Sequence, residues 1–139
     1  MRRLAVMLTA LALAACGTAP PSRGGAVQPR IAAVDAPVEF LLTSSAADFA
    51  AHRQSFPGRV RDVRIGYVTT RQGTRQYRLC GSFTAVGGNG AWAPFVTIQT
   101  DPYEQWLGGQ AVPYCGDSTL TWVEGDFTTA LQSRLDALR

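Results

Sequence analysis

The sequence predicts a small α+β domain, an antiparallel sheet of three to four strands with helices packed on one face. Three observations carry that reading. Two runs with two-residue alternation, Arg61 to Thr69 and Gln76 to Thr84, flank a Gln72-Gly73 turn. A glycine-rich segment, Gly87-Gly88-Asn89-Gly90, leads into a third β-rich run from Trp92 to Thr100. A stripe of Phe127, Ala130, Leu131, Leu135 and Leu138 at helical spacing predicts an amphipathic C-terminal helix.

Along the chain, Val38, Phe40, Leu41 and Leu42 come first, a short apolar run that reads as a strand entering the core. Thr43, Ser44 and Ser45 then offer capping hydroxyls, and Asp48 stands three residues after Ser45 as in a capping box, so a short helix is expected to run through Arg53 and stop before Pro57-Gly58. In the first alternating run Val63, Ile65 and Tyr67 share one face, with Asp62, Arg64 and Gly66 opposite. In its hairpin partner Tyr77, Leu79 and Phe83 share a face, with Gln76, Arg78, Cys80, Ser82 and Thr84 opposite. Phe95, Val96 and Ile98 belong to the third strand. Asp101-Pro102-Tyr103-Glu104 has the order of a helix start, with Gly108-Gly109 as its stop. Leu120 to Val123 reads as either a short strand or a loop. Glu124 and Asp126 precede the last helix where carboxylates favour its dipole, and Arg134 and Arg139 lie toward its other end.

Charge narrows the function. All thirteen basic side chains are arginine, and Arg2 and Arg3 lie in an N-terminal segment whose removal leaves eleven against ten carboxylates. A nearly neutral protein lacks the electrostatic drive that nucleic-acid binding requires, so no nucleic-acid partner is expected. The charge is nonetheless polarised. Arg53, Arg59, Arg61, Arg64, Arg71, Arg75 and Arg78 share a stretch containing only Asp62, whereas Asp101, Glu104, Asp117, Glu124 and Asp126 share one with no arginine. Either the two stretches face each other or form solvated strand faces, or the basic one addresses acidic lipid or polysaccharide.

The N-terminus carries the most specific motif. Met1-Arg2-Arg3 is followed by an apolar run from Leu4 to Ala12, too short to span a hydrocarbon core of roughly 30 Å. Leu13-Ala14-Ala15-Cys16 resembles the lipobox of bacterial lipoprotein precursors: a leucine, two small residues that fit the peptidase, and a cysteine whose sulfur takes the lipid. The resemblance covers sixteen residues. It implies cleavage before Cys16 and acylation there, with several acyl chains forming a stable anchor. Gly17 after the cysteine resembles outer-membrane rather than inner-membrane sorting, which implies a periplasm-facing envelope protein. The expected organisation is a signal peptide over 1–15, a lipidated Cys16 with a Pro- and Gly-rich linker over 16–36, and a single domain over 37–139. A coil of about twenty residues would hold that domain roughly 25 Å from the bilayer.

An exported domain with Cys16 committed to lipid leaves an even pair, Cys80 and Cys115, which reads as a structural disulfide. It lacks the Cys-x-x-Cys spacing of a redox site. Tyr103 and Trp106 stand beside Gly108-Gly109 and could line a groove for glycan or peptide, although aromatics at a turn more often belong to a core. With Arg61, Arg64 and Arg78 from the strand faces, they make the candidate binding surface.

Catalytic motifs are lacking. His52 is the single histidine and has no partners at zinc-ligand spacing. No Gly-x-Ser-x-Gly elbow occurs, and a Walker loop would need a lysine. No metal, cofactor or catalytic residue is therefore expected. The leading expectation is a non-catalytic binding or accessory subunit of the envelope, tethered to the membrane through Cys16 and touching an envelope protein or cell-wall glycan. The alternatives are an inhibitor of a periplasmic or host hydrolase and a small hydrolase using Asp101, Glu104 or Asp117, which would need two of them about 5–9 Å apart.

Overall fold

The computed structural model describes residues 28–139, with side chains from Asp35 onward. The expected signal peptide, the lipobox-like Leu13-Ala14-Ala15-Cys16 and most of the expected linker lie outside the described residues. Helix α1 (Gln28–Ala51) is followed by a 3-10 turn (Arg53–Ser55) and strands β1 (Pro57–Thr69), β2 (Arg75–Ala85), β3 (Ala93–Gln99) and β4 (Tyr103–Leu107). A second 3-10 turn (Gly108–Gln110), a short helix α2 (Val112–Cys115), strand β5 (Thr121–Trp122) and helix α3 (Thr128–Ala137) complete the chain. The strands form one antiparallel sheet in the order β4-β3-β2-β1-β5. The protein is thus α+β, with five strands rather than three to four, and Cys80 and Cys115 form the disulfide.

Two segments differ from the sequence-based expectation. The run from Val38 to Leu42 is helical, because it continues at helical spacing into Ala46 and Phe49 and buries that stripe on the sheet. Thr43, Ser44 and Ser45 consequently lie inside α1, and the Thr43 hydroxyl donates back to Glu39 rather than capping a new helix. The helix already includes Gln28 to Ala36 of the expected linker, but Asp35 and Ala36 are exposed, and contact with the domain starts at Pro37 and Val38. The second difference is at Asp101-Pro102-Tyr103-Glu104, expected to open a helix. Residues 103–107 form β4, in which Tyr103, Gln105 and Leu107 alternate with Glu104 and Trp106 and pair with Gln99 to Phe95. The edge of β3 offers a ladder of hydrogen bonds that outweighs the local preference for a helix start.

The core lies between the sheet and the layer formed by α1 and α3. Leu41, Leu42, Ala46 and Phe49 of α1 and Leu131 and Leu135 of α3 pack on Val60, Val63, Ile65, Leu79, Phe83 and Phe95. Phe49, Phe83 and Phe95 form a triad with ring centroids 5.2 to 6.1 Å apart. Gly81 makes room for it, since a Cβ there would lie 2.7 Å from the Phe95 ring. Of the predicted C-terminal stripe, Leu131 and Leu135 are buried, Phe127 and Ala130 are half-buried, and Leu138 is exposed.

A bulge sets which β1 side chains face which way. Arg61 pairs with Ser82 and Arg64 with Cys80, so Asp62 and Val63 together oppose Gly81. Asp62 adopts φ +55°, the left-handed conformation that Asp tolerates better than most residues. The extra residue shifts the alternation: Val60 and Val63 both face the helices, while Arg61 and Arg64 both face the other side. Groups from α3 and from the segment leading into it close the outer edge of β1. Val60 N–H donates to Gln132 Oε1 (3.0 Å) and Val63 N–H to Thr128 Oγ1 (3.0 Å). Val63 and Ile65 carbonyls accept from the Phe127 and Val123 N–H groups. Edge pairing with another chain is blocked along that stretch.

Candidate functional site

The sheet face turned away from α1 and α3 carries the site. On this side lie Arg59, Arg61 and Arg64 of β1, Arg78, Cys80, Ser82 and Thr84 of β2, Val96 and Ile98 of β3, Trp106 of β4 and Trp122 of β5. One half of the face is roofed. Cys80, Val96, Ile98 and Ala111 form a small buried cluster, flanked by Trp106, Tyr114, Cys115 and Trp122, and the disulfide pins α2 over it with a Cα–Cα distance of 5.9 Å.

Arg78 belongs to that roof. Its residue exposure is only 8%, and Nη1 donates to the Tyr114 carbonyl (2.9 Å) and to Asp117 Oδ2 (3.2 Å). The Thr119 hydroxyl and N–H both donate to Asp117 Oδ1. Those bonds, and then Arg78, hold the Asp117 carboxyl below its ordinary range. Arg78 is a strut for the 108–120 loop and does not reach the surface with Arg61 and Arg64.

The other half of the face is open and basic. The Arg61 guanidinium stacks on the Trp92 ring 4.2 Å from its centroid, with Arg59 at 5.7 Å from the same ring. Arg64 stacks on Trp122 at 4.2 Å. Arg61 also pairs with Asp62 (3.3 Å), whereas Arg59 and Arg64 have no carboxylate partner among the described residues. All three arginines are exposed and both tryptophans half-buried. The result is a row of exposed guanidinium groups laid over half-buried indoles.

The candidate surface read from the sequence is therefore divided. Arg61 and Arg64 come together. Trp106 shares their sheet face, but on the far edge strand, where its Nε1 donates to Glu104 (3.3 Å). Tyr103 points the opposite way, edge-on to Phe40 of α1 with centroids 6.4 Å apart. Burial, and after it Asp48, pushes its phenol up. Strand positions 103 and 106 fall on opposite faces because β4 is extended, not helical. Arg59, Trp92 and Trp122 are the residues that sequence reasoning left out of the surface. The Arg-rich run pointed to Arg59, but only the bulge assigns it a face.

No protein-family model, curated protein or solved structure matches this chain.

Of the carboxylates considered for catalysis, Asp101 is exposed and the other two have partners. Glu104 accepts from Trp106, and Asp117 from Arg78 and Thr119. His52 is exposed at the end of α1, its Nδ1 2.9 Å from the Asp48 carbonyl and 3.3 Å from the Asp48 carboxylate. Among the described residues, no group of three His, Cys, Asp or Glu side chains is placed to hold a metal ion, and no helix is long and apolar enough to cross a membrane. A cavity of about 320 Å³ between α1 and α3 is lined by Ala46, Ala47, Ala137 and Leu138, with Thr43 and Arg134 at its polar margin.

Proposed function

We propose that this is a lipid-anchored, non-catalytic binding or accessory protein of the bacterial envelope, held through Cys16 at the outer membrane and facing the periplasm. The lipobox-like Leu13-Ala14-Ala15-Cys16 supports the anchor. The observation that carries binding is the open row of Arg59, Arg61 and Arg64 on Trp92 and Trp122. Stacking removes much of the rotational freedom that an arginine would otherwise lose on meeting a partner, so the row is organised in advance for contact. The engaged states of Glu104 and Asp117 favour binding over hydrolysis.

The anchor is tested by mass spectrometry of the protein from its native membrane. The expected N-terminus is an acylated Cys16; an intact leader would refute it. Binding is tested by cross-linking in cells, comparing the natural chain with one carrying Arg59→Gln, Arg61→Gln and Arg64→Gln together. Cross-linked products are expected from the first and lost from the second; identical products from both would dismiss the face.

A second reading, inhibition of a periplasmic or host hydrolase, draws on the disulfide-pinned loop. Val112 there is 55% exposed beside exposed Pro113, on a segment held by Cys115 and Arg78. Unchanged lysozyme and protease rates over a titration with the protein would eliminate it.

A further inference from the structure

We propose that the Arg59–Arg61–Arg64 row docks the domain onto the phosphate-bearing surface of an anionic phospholipid membrane, an inference that rests on the binding-face reading above. Charge favours this partner first. The row places three guanidinium groups on successive same-face positions of β1, and the neighbouring carboxylate paired with it is Asp62, which meets Arg61 alone. Arg59 and Arg61 share the Trp92 ring while Arg64 lies on Trp122, so the row offers cations at two places along the face and can meet more than one phosphate.

The tryptophans favour it next, through what they can still do. Guanidinium groups already lie 4.2 Å from the centroids of Trp92 and Trp122, so those ring faces are not open platforms for stacking sugar rings. Arg59, Arg61 and Arg64 nonetheless remain exposed, and both indoles remain half-exposed. That combination of cation and amphipathic ring suits the headgroup level, where tryptophan concentrates and arginine meets phosphate. The Ser82 and Thr84 side chains stand opposite Arg61 and Arg59 in the ladder on the same face.

Shape agrees with both. The row belongs to a sheet face, and three cavities lie away from it, lined by residues of α1 and α3, by residues 51–56, and by Val86 and Arg139. An extended surface needs no enclosing pocket. Only eleven residues separate the cysteine proposed as the anchor from the start of α1 at Gln28, a short connection between bilayer and domain.

The test uses the mature chain, residues 16–139, with Cys16→Ser, so that neither the leader nor an acyl chain contributes, sedimented with phospholipid vesicles. One set is zwitterionic and the other contains one part in three of anionic phospholipid. Binding is expected to the anionic set only and to fall steeply when salt is raised from about 0.1 M to about 1 M. Near an anionic leaflet each arginine is worth about fivefold in affinity, so the triple Gln variant is expected to bind about a hundredfold more weakly. The matching triple Lys variant retains most binding, because a membrane reads charge more than fork geometry. It also controls for folding, alongside an unchanged circular dichroism spectrum. Equal affinity for both vesicle sets, or a triple Gln variant that binds undiminished, overturns the proposal. If vesicle binding fails but the triple Gln substitution still abolishes cross-linked products in cells, the binding face stands and its partner is an acidic macromolecule instead. If both fail, the binding-face reading falls as well.

Discussion

Two residues on neighbouring strands decide how this sheet is built, and each has a simple substitution test. Gly81 sits beneath the Phe95 ring, where a Cβ would lie 2.7 Å from the nearest ring carbon and 3.1 Å from Val63. Phe95 is fully buried and cannot swing clear. Gly81→Ala is therefore expected to destabilise the domain by about 1–3 kcal/mol, read as a lowered urea midpoint at unchanged slope. Opposite it, Asp62 holds the left-handed conformation of the bulge. Asp62→Gly relieves that conformation and is expected to be neutral or slightly stabilising, while Asp62→Val, β-branched at positive φ, should cost about 1–2 kcal/mol. The exposed Arg61–Asp62 pair contributes little either way. Thermal denaturation of the two variants gives the comparison, and equal losses would argue against conformation as the cause.

Among the elements, the loop from Gly108 to Leu120 has the least apolar support and the most specific fastening. It makes no β-ladder of its own and relies on the disulfide, on Arg78 and on the small cluster around Ala111. Closing a loop of 35 residues contributes roughly 3–4 kcal/mol on the chain-entropy view. The double change Cys80→Ser and Cys115→Ser is expected to lower stability by about that amount. Hydrogen exchange should rise first over 108–120, leaving the hairpin of β1 and β2 protected. Uniform loss of protection would mean that the loop and sheet unfold as one unit. The helices behave differently: α1 and α3 are held by a broad apolar contact with the sheet, and α3 also closes the edge of β1 through Gln132 and Thr128.

For the whole molecule, the sheet separates two environments. One side buries a continuous core under α1 and α3; the other is shared between the pinned loop and the basic row. Stability should depend on pH through three carboxylates with hydrogen-bond partners in the fold. Hydrogen bonding to Arg134 draws Glu39 below its ordinary value, Thr119 does so for Asp117, and Thr128 for Asp126. Because these groups bind protons less readily when folded, their stabilisation is complete above the ordinary carboxylate range near pH 4. It drains as pH falls through their lower folded values. The urea midpoint is expected to hold steady from pH 7 to about pH 5 and then decline toward pH 2. Replacing Asp117 and Asp126 by Asn should lower the neutral plateau and flatten the decline.

The hairpin of β1 and β2, the third strand and the C-terminal helix were legible from the chain because each repeats a local period, and the period alone dictates which side chains can be buried together. The pairing of Cys80 with Cys115 was legible through the expectation of an exported chain, and the lipobox-like start is a purely local signal. Three matters depended on contacts between distant residues. Val38 to Leu42 became helical only because Ala46 and Phe49 extend the same stripe onto the sheet. Residues 103–107 became a strand because β3 had an edge to fill. Above all, a single extra residue at Asp62 turned Arg61 toward the face that holds Arg64. Alternation along a strand has period two, so one inserted residue reverses every side chain before it, and the facing Gly81 in another strand lets that insertion exist.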